Sequence, residues 1–201
     1  KIKVASVPTY TKNPSFYLAV SFLELIRCYK DILWGFIQRY APDASPEGNP
    51  DLDQAAGFAI SYYNDFVKPT RAFRLADDKE KAAMEELLVC LGDADKALDV
   101  IARKNAEAGR DDALPEVNWN DDEFLQSIVF AIGKTHGFEP LRDWFKALYE
   151  VCLGASQGPR FGGFIALYGI EESKQLIRDA LDGKLAAEGL KTRGALRTPP
   201  V

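Results

Sequence analysis

The chain has 201 residues, 30 of them acidic and 25 basic, giving a formal net charge of −5. That length suffices for a substantial core without disulfide or metal staples, and 47% hydrophobic with 27% charged residues is a globular rather than a disordered or fibrous composition. The acidic balance excludes an indiscriminate nucleic-acid binder, and no DNA partner is expected. The longest nearly apolar stretch, residues 16–26, is too short to span a bilayer and contains Glu24. No secretory signal is recognisable, so a cytoplasmic chain without a membrane partner is expected.

Nearly every periodic segment has helical spacing. Asn13-Pro14 reads as a cap and first helical residue ahead of an apolar helix to Cys28, and a second helix starts near Asp31. Residues 42–48 form a loop by composition. Asn49-Pro50 opens a third helix, with Leu52, Ala56, Ala59, Ile60, Tyr63 and Phe66 on its inward face and Pro69 ending it. Asp77 and Glu80 have the spacing of a capping box before one long helix. Its seam is Met84, Leu87, Leu88, Leu91, Leu98 and Ile101, with Gly92 as a bend.

After a loop over residues 109–115, Asn120 with Glu123 caps a helix that buries Phe124, Ile128, Val129 and Ile132. Three short helices follow, at 140–153, 159–168 and 171–181, with Gly154, Gly169 and Gly183 at their C-terminal caps. Residues 184–201 lose this periodicity and read as a poorly ordered tail. The expected class is all-α. A first region spans 1–118, and a C-terminal helical subdomain spans 119–183.

Composition also bears on chemistry. Cys28, Cys90 and Cys152 lack any C-x-x-C spacing and read as buried apolar groups in a reducing compartment. The single histidine, His136, falls where a helix stops, which suits a capping imidazole better than a catalytic one. Phosphate-loop, dinucleotide and zinc-protease motifs are absent. Neither a catalytic residue nor a metal ligand is assigned.

The net charge hides a division. Residues 1–76 and 124–201 each carry a surplus of two cations, whereas residues 77–123 hold 15 acidic side chains against 6 basic. The flanking parts are also rich in aromatics, a mixture suited to stacking bases and holding phosphates. On the helix from residue 141 to 152, Arg142, Lys146 and Tyr149 stand at i, i+4 and i+7. They could hold a phosphate and stack a base, or form a solvated flank. Next, Arg160 follows Pro159 at a helix N-terminus, where a cation opposes the helix dipole. It contacts a phosphate or base, or else pairs with a carboxylate such as Glu150. Gly162 and Gly163 could let another chain approach the backbone.

Three segments resemble class I lysyl-tRNA synthetases: residues 31–42 (DILWGFIQRYAP), residues 62–70 (YYNDFVKPT) with Phe73-Arg74 after them, and Trp144-Phe145-Lys146-Ala147-Leu148-Tyr149 followed by Leu153-Gly154 and Gly158-Pro159-Arg160-Phe161-Gly162. The resemblance runs from about Asp31 to Gly183. It implies the helical region that follows the catalytic Rossmann domain, with an α-helix cage that binds the anticodon of lysine tRNA, as in glutamyl-tRNA synthetases. The family's HIGH-type and KMSKS-type signatures are absent, so no cofactor is expected in this segment; the resemblance implies the C-terminal portion of such an enzyme, with ATP and lysine activation in the parent's remaining residues. Within the matched motif, Tyr149 and Phe161 are candidate stackers, and Lys146 and Arg160 candidate phosphate or base-edge contacts. Arg142 joins them by face geometry. Lys68, Arg71 and Arg74 form a second basic cluster that could grip the tRNA stem or belong to a solvated loop. Trp34, Tyr63 and Phe66 read as core. The alternatives are a glutamyl-tRNA synthetase-like cage, or a helical protein-interaction module that binds no RNA.

Overall fold

The computed structural model describes Trp34, Ile37, Gln38, residues 41–158, residues 160–187 and Gly189. The expected helix from Asn13 to Cys28, most of the one near Asp31, and the end of the tail lie outside these residues. The described residues form helices joined by loops, with no strand among them, an all-α fold. The chain divides into two compact units, Lys1–Phe66 and Val67–Val201.

In the first unit, α1 (Pro50–Tyr62) starts with proline in its first turn and Asp51 and Asp53 near the positive end of the helix dipole. Asn49 does not cap it. Its Oδ1 accepts from the Ser45 N–H at 3.3 Å, while Ser45 Oγ accepts from Gly48 N–H at 3.0 Å, closing the preceding loop on itself. Asp53 accepts the indole N–H of Trp34 at 3.0 Å, and Trp34, Ala56 and Tyr63 are buried. Leu52 and Phe66, expected inside, are 42% and 64% exposed. After Tyr62 the helix widens into a π turn, Tyr63–Val67. That wider winding rotates Phe66 off the buried stripe. Leu52 sits in the first turn, at the edge of the stripe.

In the second unit, a 3₁₀ turn (Lys68–Thr70) leads into the extended strap of residues 71–77. Asp77 and Glu80 make the expected capping box at the start of α2 (Asp78–Cys90). The long helix expected beyond it is two helices. Gly92 adopts φ +86, which no α-helix accommodates, and Asp93 caps a fresh helix, α3 (Ala94–Glu107), by accepting from Lys96 N–H at 3.1 Å. Helix α4 (Asp122–Thr135) is capped by Asp121 rather than Asn120, through bonds to the Glu123 and Phe124 N–H groups.

Helix α4 is the centre of this unit. It packs on α2 and α3, and on α6 (Phe161–Tyr168); α5 (Arg142–Cys152) and α2 both meet α7 (Ile170–Leu181). The expected division after residue 118 falls between α3 and α4, which pack on each other. Phe124, Leu125, Ile128, Val129 and Ile132 of α4 are all buried, each side chain contributing about 1.5–3 kcal/mol of transfer free energy. Trp144 of α5 joins them, donating its indole N–H to the Val129 carbonyl at 2.9 Å. Glu86 of α2 bonds both Arg103 of α3 and the His136 imidazole, the latter at 2.7 Å, and so ties three helices together. His136 is the C-cap of α4. Gly154, Gly169 and Gly183 terminate α5, α6 and α7 with positive φ, as their positions foretell. Cys90 and Cys152 are buried free thiols, both pushed up to about 12 by burial. Residues 184–187 of the expected tail are helical.

Candidate nucleic-acid interface

The amphipathic pattern of α5 decides which side chains reach solvent. Trp144, Ala147, Leu148, Val151 and Cys152 face the core, leaving Arg142 and Lys146 exposed one turn apart. Arg142 pairs with no carboxylate among the described residues. Lys146 lies 3.6 Å from Glu150 at i+4, an exposed pair worth no more than about 0.5 kcal/mol. Both cations can exchange solvent or a weak partner for a phosphate.

Tyr149 and Phe161 do not offer bases an open ring. Phe161 is 1% exposed and Tyr149 is also buried, with ring centroids 6.1 Å apart. Phe161 continues into Phe164 at 5.3 Å, and Phe164 into Tyr168 at 5.4 Å, an aromatic run through the core. Gly158 lies against the Tyr149 ring, since a Cβ there would come within 2.9 Å of it. Burial alone pushes the Tyr149 phenol up to about 12. The sequence pattern misses this because an aromatic at the edge of an apolar stripe reads the same whether a loop covers it or not.

Arg160 is 58% exposed, and its guanidinium faces α4, 3.7 Å from Glu123 and 4.0 Å from Asp122. Glu150, the partner expected for it, is engaged elsewhere. Of the two glycines open to a close approach by another chain, Gly162 is approached by α4 itself. A Cβ at Gly162 would lie 2.3 Å from Gln126 N and 2.6 Å from the Asp122 carbonyl oxygen. The Gln126 side chain accepts the Gly162 N–H at 2.8 Å, so that donor of the α6 first turn is already used. Gly163 is uncrowded, with nothing nearer than Asp122 at 3.8 Å.

The second basic cluster is not a set of three surface cations. Lys68 is exposed and Arg71 half-buried. Arg74 is a structural hub: it takes both carboxylate oxygens of Glu80, at 2.6 and 2.7 Å, and donates Nε–H to Glu150 at 2.7 Å. The hydrogen bond to Glu80, helped by the one to Glu150, raises the guanidinium further above its usual range. The strap is also bonded through Ala72 N–H to the Gly154 carbonyl at 2.8 Å. Gly154 is needed there twice over, for its φ of +61 and because a Cβ would meet the Phe73 ring at 2.9 Å. Thus Phe73-Arg74 and Leu153-Gly154, far apart in sequence, are neighbours in space.

Among the described residues no group of three His, Cys, Asp or Glu side chains could hold a metal ion. No helix among them is long and apolar enough to cross a membrane.

Fold and surface together define an all-α module with exposed cations along α5 and ahead of α6. The chain is 53% identical over 159 residues to the lysine–tRNA ligase of Roseobacter denitrificans, a match covering 79% of this chain and 26% of that protein. It is 40% identical over 152 residues to the lysine–tRNA ligase of Rickettsia conorii and 41% identical over 152 residues to that of Rickettsia bellii, each covering 76% of this chain and 25% of the relative. Over this span the chain is similar to the C-terminal part of the lysine–tRNA ligases. It spans about a quarter of the length of these relatives. No family model matches it. No solved structure matches it either.

Proposed function

We propose that the chain is the anticodon-binding helical portion of a class I lysine–tRNA ligase, recognising the anticodon loop of lysine tRNA. The similarity to lysine–tRNA ligases along 79% of the chain carries this reading. The exposed cations of α5 and Arg160 support it, since cations set the register on an RNA backbone while base edges supply sequence information. Arg142 and Lys146 act on backbone phosphates, and Arg160 on a phosphate or base. Lys68 and Arg71 contact the stem. ATP-dependent attachment of lysine belongs to a nucleotide-binding region outside this span, and the working compartment is the cytoplasm.

Titrating the full chain with anticodon stem-loops of lysine and glutamate tRNA tests the reading. Preference for the lysine loop is expected. Preference for the glutamate loop would favour a glutamyl-type cage, and binding no tighter than to an unrelated hairpin would remove RNA recognition. A protein-interaction module is the second reading, favoured by the exposed Phe58 and Phe66 of the first unit.

A further inference from the structure

Resting on the RNA-recognition reading above, we propose that Arg160, Asp122 and Glu123 read the edge of an anticodon-loop base and do not clamp a phosphate. The guanidinium lies 3.7 Å from Glu123 and 4.0 Å from Asp122, and all three side chains are at least half exposed. Asp121 adds a further carboxylate beside them, held at the α4 N-terminus by the Glu123 and Phe124 N–H groups. A phosphate drawn to Arg160 would therefore meet Asp122 and Glu123 around a single cation, with the Asp121 carboxylate adjacent to them in the chain. In the first turn of α6 the Gly162 N–H is already taken by Gln126, which leaves one donor fewer to offset this.

A neutral base meets no such opposition. Each Watson–Crick edge of an unpaired base sets an N–H donor beside an acceptor, and here a guanidinium that donates stands beside carboxylates that accept. The ion pairs holding this arrangement are exposed and long, so they open at little cost. Space exists as well: Gly163 leaves the ground beside Asp122 uncrowded, its nearest neighbour to a Cβ being Asp122 itself at 3.8 Å. Single-stranded RNA loops, whose bases can be splayed outward, provide such edges.

The test compares the wild-type chain with Asp122→Asn/Glu123→Gln, titrated with lysine-tRNA anticodon stem-loops carrying an abasic nucleotide at each loop position in turn. The double variant should bind the intact loop about tenfold more weakly, within the range for one good base contact, with an unchanged salt slope. At one abasic position, wild type and variant should bind alike. Tighter binding of the variant to every loop, with a steeper salt dependence, would mean a phosphate clamp and overturn the proposal. Unchanged affinity would overturn it too, by removing the carboxylates from the interface. A wild-type chain without preference for the lysine loop would instead remove the reading beneath it. Should the double variant melt early, Glu123→Gln alone, at a side chain 79% exposed, gives the same comparison.

Discussion

Arg74 and Glu150 stand 76 positions apart in the chain and meet at 2.7 Å, with the same guanidinium gripping both carboxylate oxygens of Glu80. One arginine thereby fastens the 71–77 strap to the start of α2 and to the last turn of α5. Glu80 is only 7% exposed, so its carboxylate depends on these partners and on the Asp77 N–H.

Replacing Arg74 should consequently act on stability before it acts on RNA. Arg74→Ala leaves Glu80 buried with a single remaining bond, and a loss of about 1–3 kcal/mol is expected, moderated because Arg74 itself is partly solvated. Urea denaturation measures it. Glu80→Gln in the Arg74→Ala background should recover part of the loss, because the buried charge is then gone. An Arg74→Ala variant of full stability and weakened RNA binding would instead return Arg74 to the interface.

Neighbouring glycines should respond in opposite ways to alanine. At Gly162 the added Cβ collides with backbone of α4 at 2.3 Å, so Gly162→Ala should destabilise by about 2–3 kcal/mol as α6 is pushed off. At Gly163 nothing lies closer than 3.8 Å, and Gly163→Ala should leave stability unchanged or raise it by up to about 1 kcal/mol through helix propensity. Thermal melts of the two variants side by side decide the matter.

Alkaline pH should weaken the fold. Cys90 and Cys152 rise from 9.0, and Tyr149 and Tyr168 from 10.0, all to about 12, chiefly because burial disfavours their ionised forms. The folded state thus holds protons that the unfolded chain releases. The stabilisation is complete below about pH 9 and lost as pH rises toward 12, at up to about 1.4 kcal/mol per pH unit for each group. Denaturation midpoints at pH 8 and pH 10.5 give the comparison, and an unchanged midpoint would contradict the burial of these groups.

For Arg142 and Lys146, the expected signature is electrostatic and indifferent to sequence. Alanine at either position should weaken binding to lysine and unrelated stem-loops by similar factors. It should also reduce the slope of log affinity against log salt by about 0.7. A loss confined to the lysine loop would make the residue a base reader.

Much of this arrangement is legible in the sequence. The all-α class follows from apolar spacing at three and four residues, the α2 start from Asp77 and Glu80, and the ends of α5, α6 and α7 from Gly154, Gly169 and Gly183. These are local matters, set within one or two turns of chain by capping bonds and permitted φ. Arg142 and Lys146 are legible for the same reason, since the stripe opposite them is plainly apolar.

The fate of side chains whose surroundings come from distant segments is set by packing instead. Phe161 and Tyr149 look like stackers until the α5–α6 loop and the aromatic run to Tyr168 bury them. Arg74 looks like one of three surface cations until Glu80 and Glu150 converge on it, and Arg160 meets α4 carboxylates rather than Glu150. Exposure and ion pairing depend on which elements pack together, and a one-dimensional pattern holds the periodicity of each helix but not the identity of its neighbours. Local patterning sets the helices and carries the similarity to lysine–tRNA ligases; packing sets which cations remain at the surface.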